Sequence, residues 1–149
     1  ISIMKRNIAI VVILILVAIQ FIHPKKNVRT EILPADITKV TTVPDDVLHI
    51  LKTACYDCHS NNTLYPWYNN IQPVAFWLQK HINNGKKKLN FSEFGDYTPE
   101  RKAKKMREIA HEIEAGDMPL KSYTLIHRNA VLSDAQKQLV INWAKNSKF

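Results

Sequence analysis

The chain holds only two cysteines, which stand three positions apart with a histidine directly behind them, in Cys55-Tyr56-Asp57-Cys58-His59. No other feature restricts the fold as tightly. Two thiols at this spacing share one helical turn. From there both can reach the vinyl groups on one edge of a haem and form thioether bonds, and the next imidazole lies under the iron. Scattering two cysteines and six histidines over the chain produces this pattern by chance on the order of 1 time in 2,000. Three rival chemistries are weaker. A thioredoxin-like pair needs a βαβ setting, which is absent. A zinc site needs two further ligands; His81, His111 or His127 could supply them, but no second paired motif is present. A disulfide closing so short a loop adds little stability. The expectation is one covalent haem c on Cys55 and Cys58, with His59 as the proximal ligand.

Haem attachment of this kind needs export, and the N-terminus agrees. Residues 8 to 22, IAIVVILILVAIQFI, are apolar except for Gln20 and follow Lys5 and Arg6. A free-standing span usually takes about 20 residues, so this run is short. No small-x-small cleavage site follows it, which favours an uncleaved signal anchor over a removed signal peptide. With no polar face anywhere in the run, a buried core helix fits less well. Basic residues flank both ends, so charge alone leaves the orientation open. The expected organisation is an anchor helix over 1–24, a linker over 25–44 punctuated by Pro34 and Pro44, and a haem domain over 45–149.

That domain reads as all-α. A first helix follows Pro44, with Asp45 and Asp46 suiting the helix dipole and Val47, Leu48, Ile50 and Leu51 as its stripe. A second starts near Pro73, carries Val74, Trp77, Leu78 and His81 on one face, and stops at Gly85. A third is capped by Thr98 and Pro99, ends at Gly116, and buries Met106, Ile109, Ala110 and Ile113. A fourth opens on the Ser133–Gln136 capping box, with Leu139, Val140 and Trp143 inward. Irregular connections are expected near 60–72 and 117–132. A domain this small and polar gains from a large apolar cofactor at its centre.

Met118, in Gly116-Asp117-Met118-Pro119-Leu120, is the first candidate for the far face of the iron. Pro119 holds it in extended backbone, and thioether ligation raises the reduction potential. The alternatives are Met118 as a core gap-filler, or His81, His127 and, more remotely, His111 as ligand. Tyr65, Trp67, Tyr68, Phe76 and Trp77 are expected to wall the pocket, with Trp67 and Trp77 touching the cofactor or its propionates.

The net charge is +8, with lysines grouped at Lys86, Lys87 and Lys88 and at Lys102, Lys104 and Lys105. No nucleic-acid recognition pattern accompanies them. They form a solvated face or a docking surface for an acidic redox partner.

The stretch Cys55–Phe94, with CHSNNTLYPWY and LNFSEF, and the stretch Met118–Ala144 resemble the haem-binding domain family of bacterial c-type cytochromes. The resemblance covers roughly residues 45 to 147. It implies a single helical cytochrome c-like domain, anchored or exported, with Cys55, Cys58 and His59 in the roles given above; in similar cytochromes a Met-Pro segment closes the sixth position. The resulting expectation is a monohaem electron carrier with His59 and Met118 on the iron, on the periplasmic side of the cytoplasmic membrane. The competing expectations are a peroxidase-like enzyme, with a distal base such as His81 or His127, and a haem sensor with a displaceable distal ligand.

Overall fold

The computed structural model describes residues 3–149. Its α-helices are α1 (Ile3–Ile19), α2 (Ile37–Val40), α3 (Asp45–Ala54), α4 (Tyr56–His59), α5 (Val74–Lys88), α6 (Pro99–Ala115), α7 (Lys121–Thr124) and α8 (Asp134–Asn146). Short 3-10 turns cover Trp67–Asn70, Phe91–Asp96 and Arg128–Ala130. Among the described residues the only extended pairing is an isolated antiparallel bridge, Val28 with Asn62. The all-helical expectation holds.

The helix signals are local and most of them act as read. Thr98 Oγ1 accepts the Arg101 N–H at the start of α6, with Pro99 in its first turn. Gly116 ends α6 at φ +76°, a conformation that glycine adopts without a Cβ penalty. Ser133 and Gln136 form the reciprocal capping box of α8. The core joins α3, α6 and α8: Leu51, Met106, Ile109, Ile113 and Val140 are buried together with Phe91 and Phe94.

Three expectations change. The stripe of α5 is not Val74, Trp77 and His81; the helix buries Ala75, Leu78, Gln79 and Ile82. Nor does α5 stop at Gly85, since it continues through Lys86 and Lys87 to Lys88. Residues 25–44, expected as a linker, lie along the domain instead. Ile37 is fully buried in the core. The Asn27 side chain donates to Ser60 O and accepts from Lys86 Nζ at 2.6 Å, and Trp143 Nε1 donates to Thr42 O. The buried Ile37 and scattered hydrogen bonds, not an apolar stripe, fasten this stretch, so no hydrophobic period announces it.

Residues 8–19 of the apolar run lie in α1, no residue of which is buried, and residues 20–22 follow it. At 1.5 Å per residue it is about 26 Å long, against a hydrocarbon core of about 30 Å. Among the described residues no helix is long and apolar enough to cross a membrane. Residues 1 and 2 of the expected anchor lie outside the described residues.

Candidate functional site

The paired-cysteine motif occupies a turn of its own. At Cys55 the backbone leaves α3 (φ −126°, ψ −38°) and re-enters a helix at α4. Cys58 and His59 both donate their N–H to Cys55 O, at 3.2 and 3.0 Å. This is the one-turn spacing that the thiols require. Both cysteines are free thiols. Burial pushes Cys55 up to about 12, with Cys58 adding to the rise, and burial and then Asp57 push Cys58 up to about 11.

Behind the motif runs a polar lock. Asn61 N–H donates to Ser92 Oγ, Asn61 Nδ2 donates to Glu93 Oε1 at 2.9 Å, and Asn90 Nδ2 donates to Asn61 Oδ1 at 2.9 Å. Asn61 and Asn90 are buried, so each bond satisfies a group that would otherwise be costly to bury. The segments CHSNNTLYPWY and LNFSEF, some thirty positions apart, are thus one structural unit.

His59 is oriented by α5. Its Nδ1 lies 3.1 Å from Leu89 O, at the end of that helix. A carbonyl can only accept, so Nδ1 carries the hydrogen and Nε2 keeps its lone pair for a metal. Burial pulls the imidazole below its ordinary value, against the raising effect of that bond, which keeps the ring neutral at pH 7. The Phe91 ring packs edge-on against it. The backbone of α5 reaches the motif because of Gly85. A Cβ there would overlap the Cys58 carbonyl oxygen and stand 3.1 Å from Cys58 Cβ.

A cavity of about 120 Å³, partly open to solvent, lies over this turn. Leu51, Ala54, Cys55 and His59, from α3 and the cysteine turn, line it together with Ile109 and Ile113 of α6 and with Met118 and Pro119. Lys88, Lys105, Glu108 and Glu112 add charge to an otherwise apolar lining. Cys58 is outside the lining, half-buried against α5.

Met118 joins His59 and Cys55 here because the chain folds back at the end of α6, where Asp117 and Met118 both donate to Glu112 O. Met106 is core, as expected. The three histidines weighed as ligands are not part of the lining. His81 hydrogen-bonds Trp77 O on the outer side of α5, His111 is exposed on α6, and His127 bonds the Tyr68 hydroxyl at 2.7 Å. The pocket-wall expectation for Trp67 and Trp77 is corrected: they are 76% and 47% exposed, and neither lines the cavity. Aliphatic residues of α3 and α6 form the wall instead. Among the described residues, no three His, Cys, Asp or Glu side chains are placed to hold a metal ion.

Gly85, Leu89 and Phe91 are the site residues that the sequence reading missed. The signal for Gly85 was the helical pattern of α5, which continues beyond it. A further tie is Tyr123, whose hydroxyl donates to Asp57 Oδ2 at 2.7 Å while its ring stacks on His127 at 4.2 Å. It fastens the segment after Met118 to the cysteine turn.

A largely apolar cavity lined by a tautomer-locked imidazole, a thiol and a thioether has the donor set that suits a haem, and it defines a small helical haem-binding protein. The chain matches the haem-binding domain family over residues 14–146 and belongs to that family. No curated protein and no solved structure matches it.

Proposed function

We propose that this chain is a monohaem c-type cytochrome that carries single electrons at the outer, periplasmic face of the cytoplasmic membrane. One observation carries the proposal: His59, with Nδ1 committed to Leu89 O, shares a cavity with Cys55 and Met118. When bound, a haem supplies a one-electron iron couple. Cys55 and Cys58 would hold it covalently, His59 Nε2 and the Met118 thioether would ligate its iron, and Leu51, Ile109 and Ile113 would keep water away. A low local dielectric and a thioether ligand both favour a high potential. The fixed imidazole and the folded-back Met118 segment limit reorganisation between redox states. Lys88 and Lys105, one from each lysine cluster, lie at the cavity, which suits docking of an acidic redox partner close to the cofactor. The apolar, unburied α1 serves as the membrane attachment.

The test is the visible and near-infrared spectrum of the ferric protein made in a host with c-type haem attachment machinery. A weak long-wavelength band of methionine-bound ferric haem, lost in Met118→Ala, supports the six-coordinate carrier. A haem protein without that band, or one that binds carbon monoxide rapidly when ferrous, refutes His/Met ligation and favours the peroxidase-like or sensor alternatives.

A further inference from the structure

The aromatic stretch expected at the cofactor is left facing outward, and its surroundings suggest a different role. Between residues 64 and 77 the large apolar residues Leu64, Trp67, Ile71, Val74, Phe76 and Trp77 are all exposed. A stretch this rich in exposed apolar side chains marks an interaction surface. On α5, Phe76, Trp77 and Lys80 fall on the side opposite the buried Ala75, Leu78 and Ile82, so the exposure is built into the helix phase.

The same stretch is joined to the end of α1. Gln72 is buried, its N–H donates to Gln20 Oε1 at 2.9 Å, and Gln20 Nε2 donates back to Gln72 O at 3.1 Å. Gln72 Nε2 also donates to Ile22 O at 2.7 Å, and Gln72 Oε1 accepts the Phe76 N–H. Three polar bonds thus couple the chain leaving α1 to the first turn of α5. Phe21 and Ile22, at that junction, are exposed, and Lys25 and Lys26 follow.

We propose that Trp67, Ile71, Phe76 and Trp77, with Phe21, form a collar that seats the haem domain on the headgroup boundary of the lipid bilayer that receives α1. Tryptophan, phenylalanine and neighbouring lysines are the side chains such a boundary favours. The Gln20–Gln72 clamp makes that seating orient the domain, because α5 carries Gly85 and Leu89 against the cysteine turn. This inference rests on membrane attachment through α1.

The experiment uses the full-length haem protein in nanodiscs of mixed phosphatidylcholine and phosphatidylglycerol, with acyl chains either plain or brominated near the headgroup. Trp67, Trp77 and the buried Trp143 are the only tryptophans. Comparing the two lipids in the same haem-loaded protein isolates quenching by bromine. The expected result is co-elution with nanodiscs and a loss of tryptophan emission in brominated lipid. That loss disappears in a Trp67→Phe, Trp77→Phe double variant whose far-UV circular dichroism and haem spectrum match the parent. Co-elution without bromine quenching overturns the collar while leaving α1 attachment standing. Failure to co-elute overturns both. Emission changes that follow protein concentration without lipid assign the patch to a second copy of the chain and overturn the lipid seat.

Discussion

Gly85→Ala should destabilise this protein although it lies inside a helix. In an open helix interior the change stabilises by about 1 kcal/mol, since alanine loses less backbone entropy than glycine. Here the added methyl meets main chain: it overlaps Cys58 O and stands 3.1 Å from both Cys58 C and Cys58 Cβ. No side-chain rotation relieves such a contact, so α5 must back away from the cysteine turn. Overpacking costs about 1–3 kcal/mol, and an obstacle made of backbone places this case in the upper half of that range. The net expectation is a loss of about 1–2 kcal/mol. It is read from urea unfolding of the haem-loaded protein followed by far-UV circular dichroism. Because α5 is capped by Leu89, whose carbonyl holds His59, the variant should also shift the haem spectrum. Gly116→Ala is the control. Nothing lies within 4 Å of a Cβ at that position, and its cost comes from φ +76° alone. It should lose about 1–2 kcal/mol by backbone strain while leaving the haem spectrum unchanged. A Gly85→Ala protein that is about 1 kcal/mol more stable than the parent, with an identical spectrum, would refute the close packing of α5 on the motif.

Other outcomes follow from single contacts. Tyr123→Phe removes the bond to the Asp57 carboxylate and should cost about 1.5–3 kcal/mol in the same unfolding assay. By loosening the segment after Met118 it should also speed carbon monoxide binding to the ferrous protein, as read by stopped flow. Asn61→Ala breaks the bridge to Asn90 and Glu93 and leaves buried Asn90 short of a partner, for a loss of about 1–3 kcal/mol. Ser133→Ala removes the α8 cap and should cost about 1 kcal/mol with no spectral change. Lys88→Glu should slow electron transfer to an acidic partner about tenfold at low ionic strength, a difference that salt erases because the site is at the surface.

The parts of the fold announced by neighbouring residues could be read directly. Thr98 with Pro99, Gly116, Ser133 with Gln136, and the cysteine motif each act within one or two helical turns, where chain geometry leaves few alternatives. Met106, Ile109, Ala110 and Ile113 followed from the helical period alone. What escaped depends on partners distant in sequence. Gly85 looked like a stop because glycine commonly ends helices, and only the main chain of Cys58 against it reveals a packing role. Trp67 and Trp77 looked like pocket wall because hydrophobicity states that a side chain avoids water, not what covers it. Residues 25–44 looked like a linker because Asn27 and Thr42 are fastened by hydrogen bonds, which leave no periodic trace. Met118 was found from its setting between Gly116 and Pro119. That it shares the cavity with His59 follows from the carbonyl of Glu112, which no sequence pattern indicates.

The most direct test of the central claim is whether the haem is covalent. The full-length protein, made with the c-type attachment machinery, is denatured, extracted with acidified organic solvent, and measured by intact mass, beside Cys55→Ala and Cys58→Ala. The account predicts that one haem stays on the parent chain through extraction, and that each single variant keeps it by one remaining bond or loses it altogether. Haem that extracts freely from the parent, or a chain that emerges with no haem, would contradict the c-type assignment.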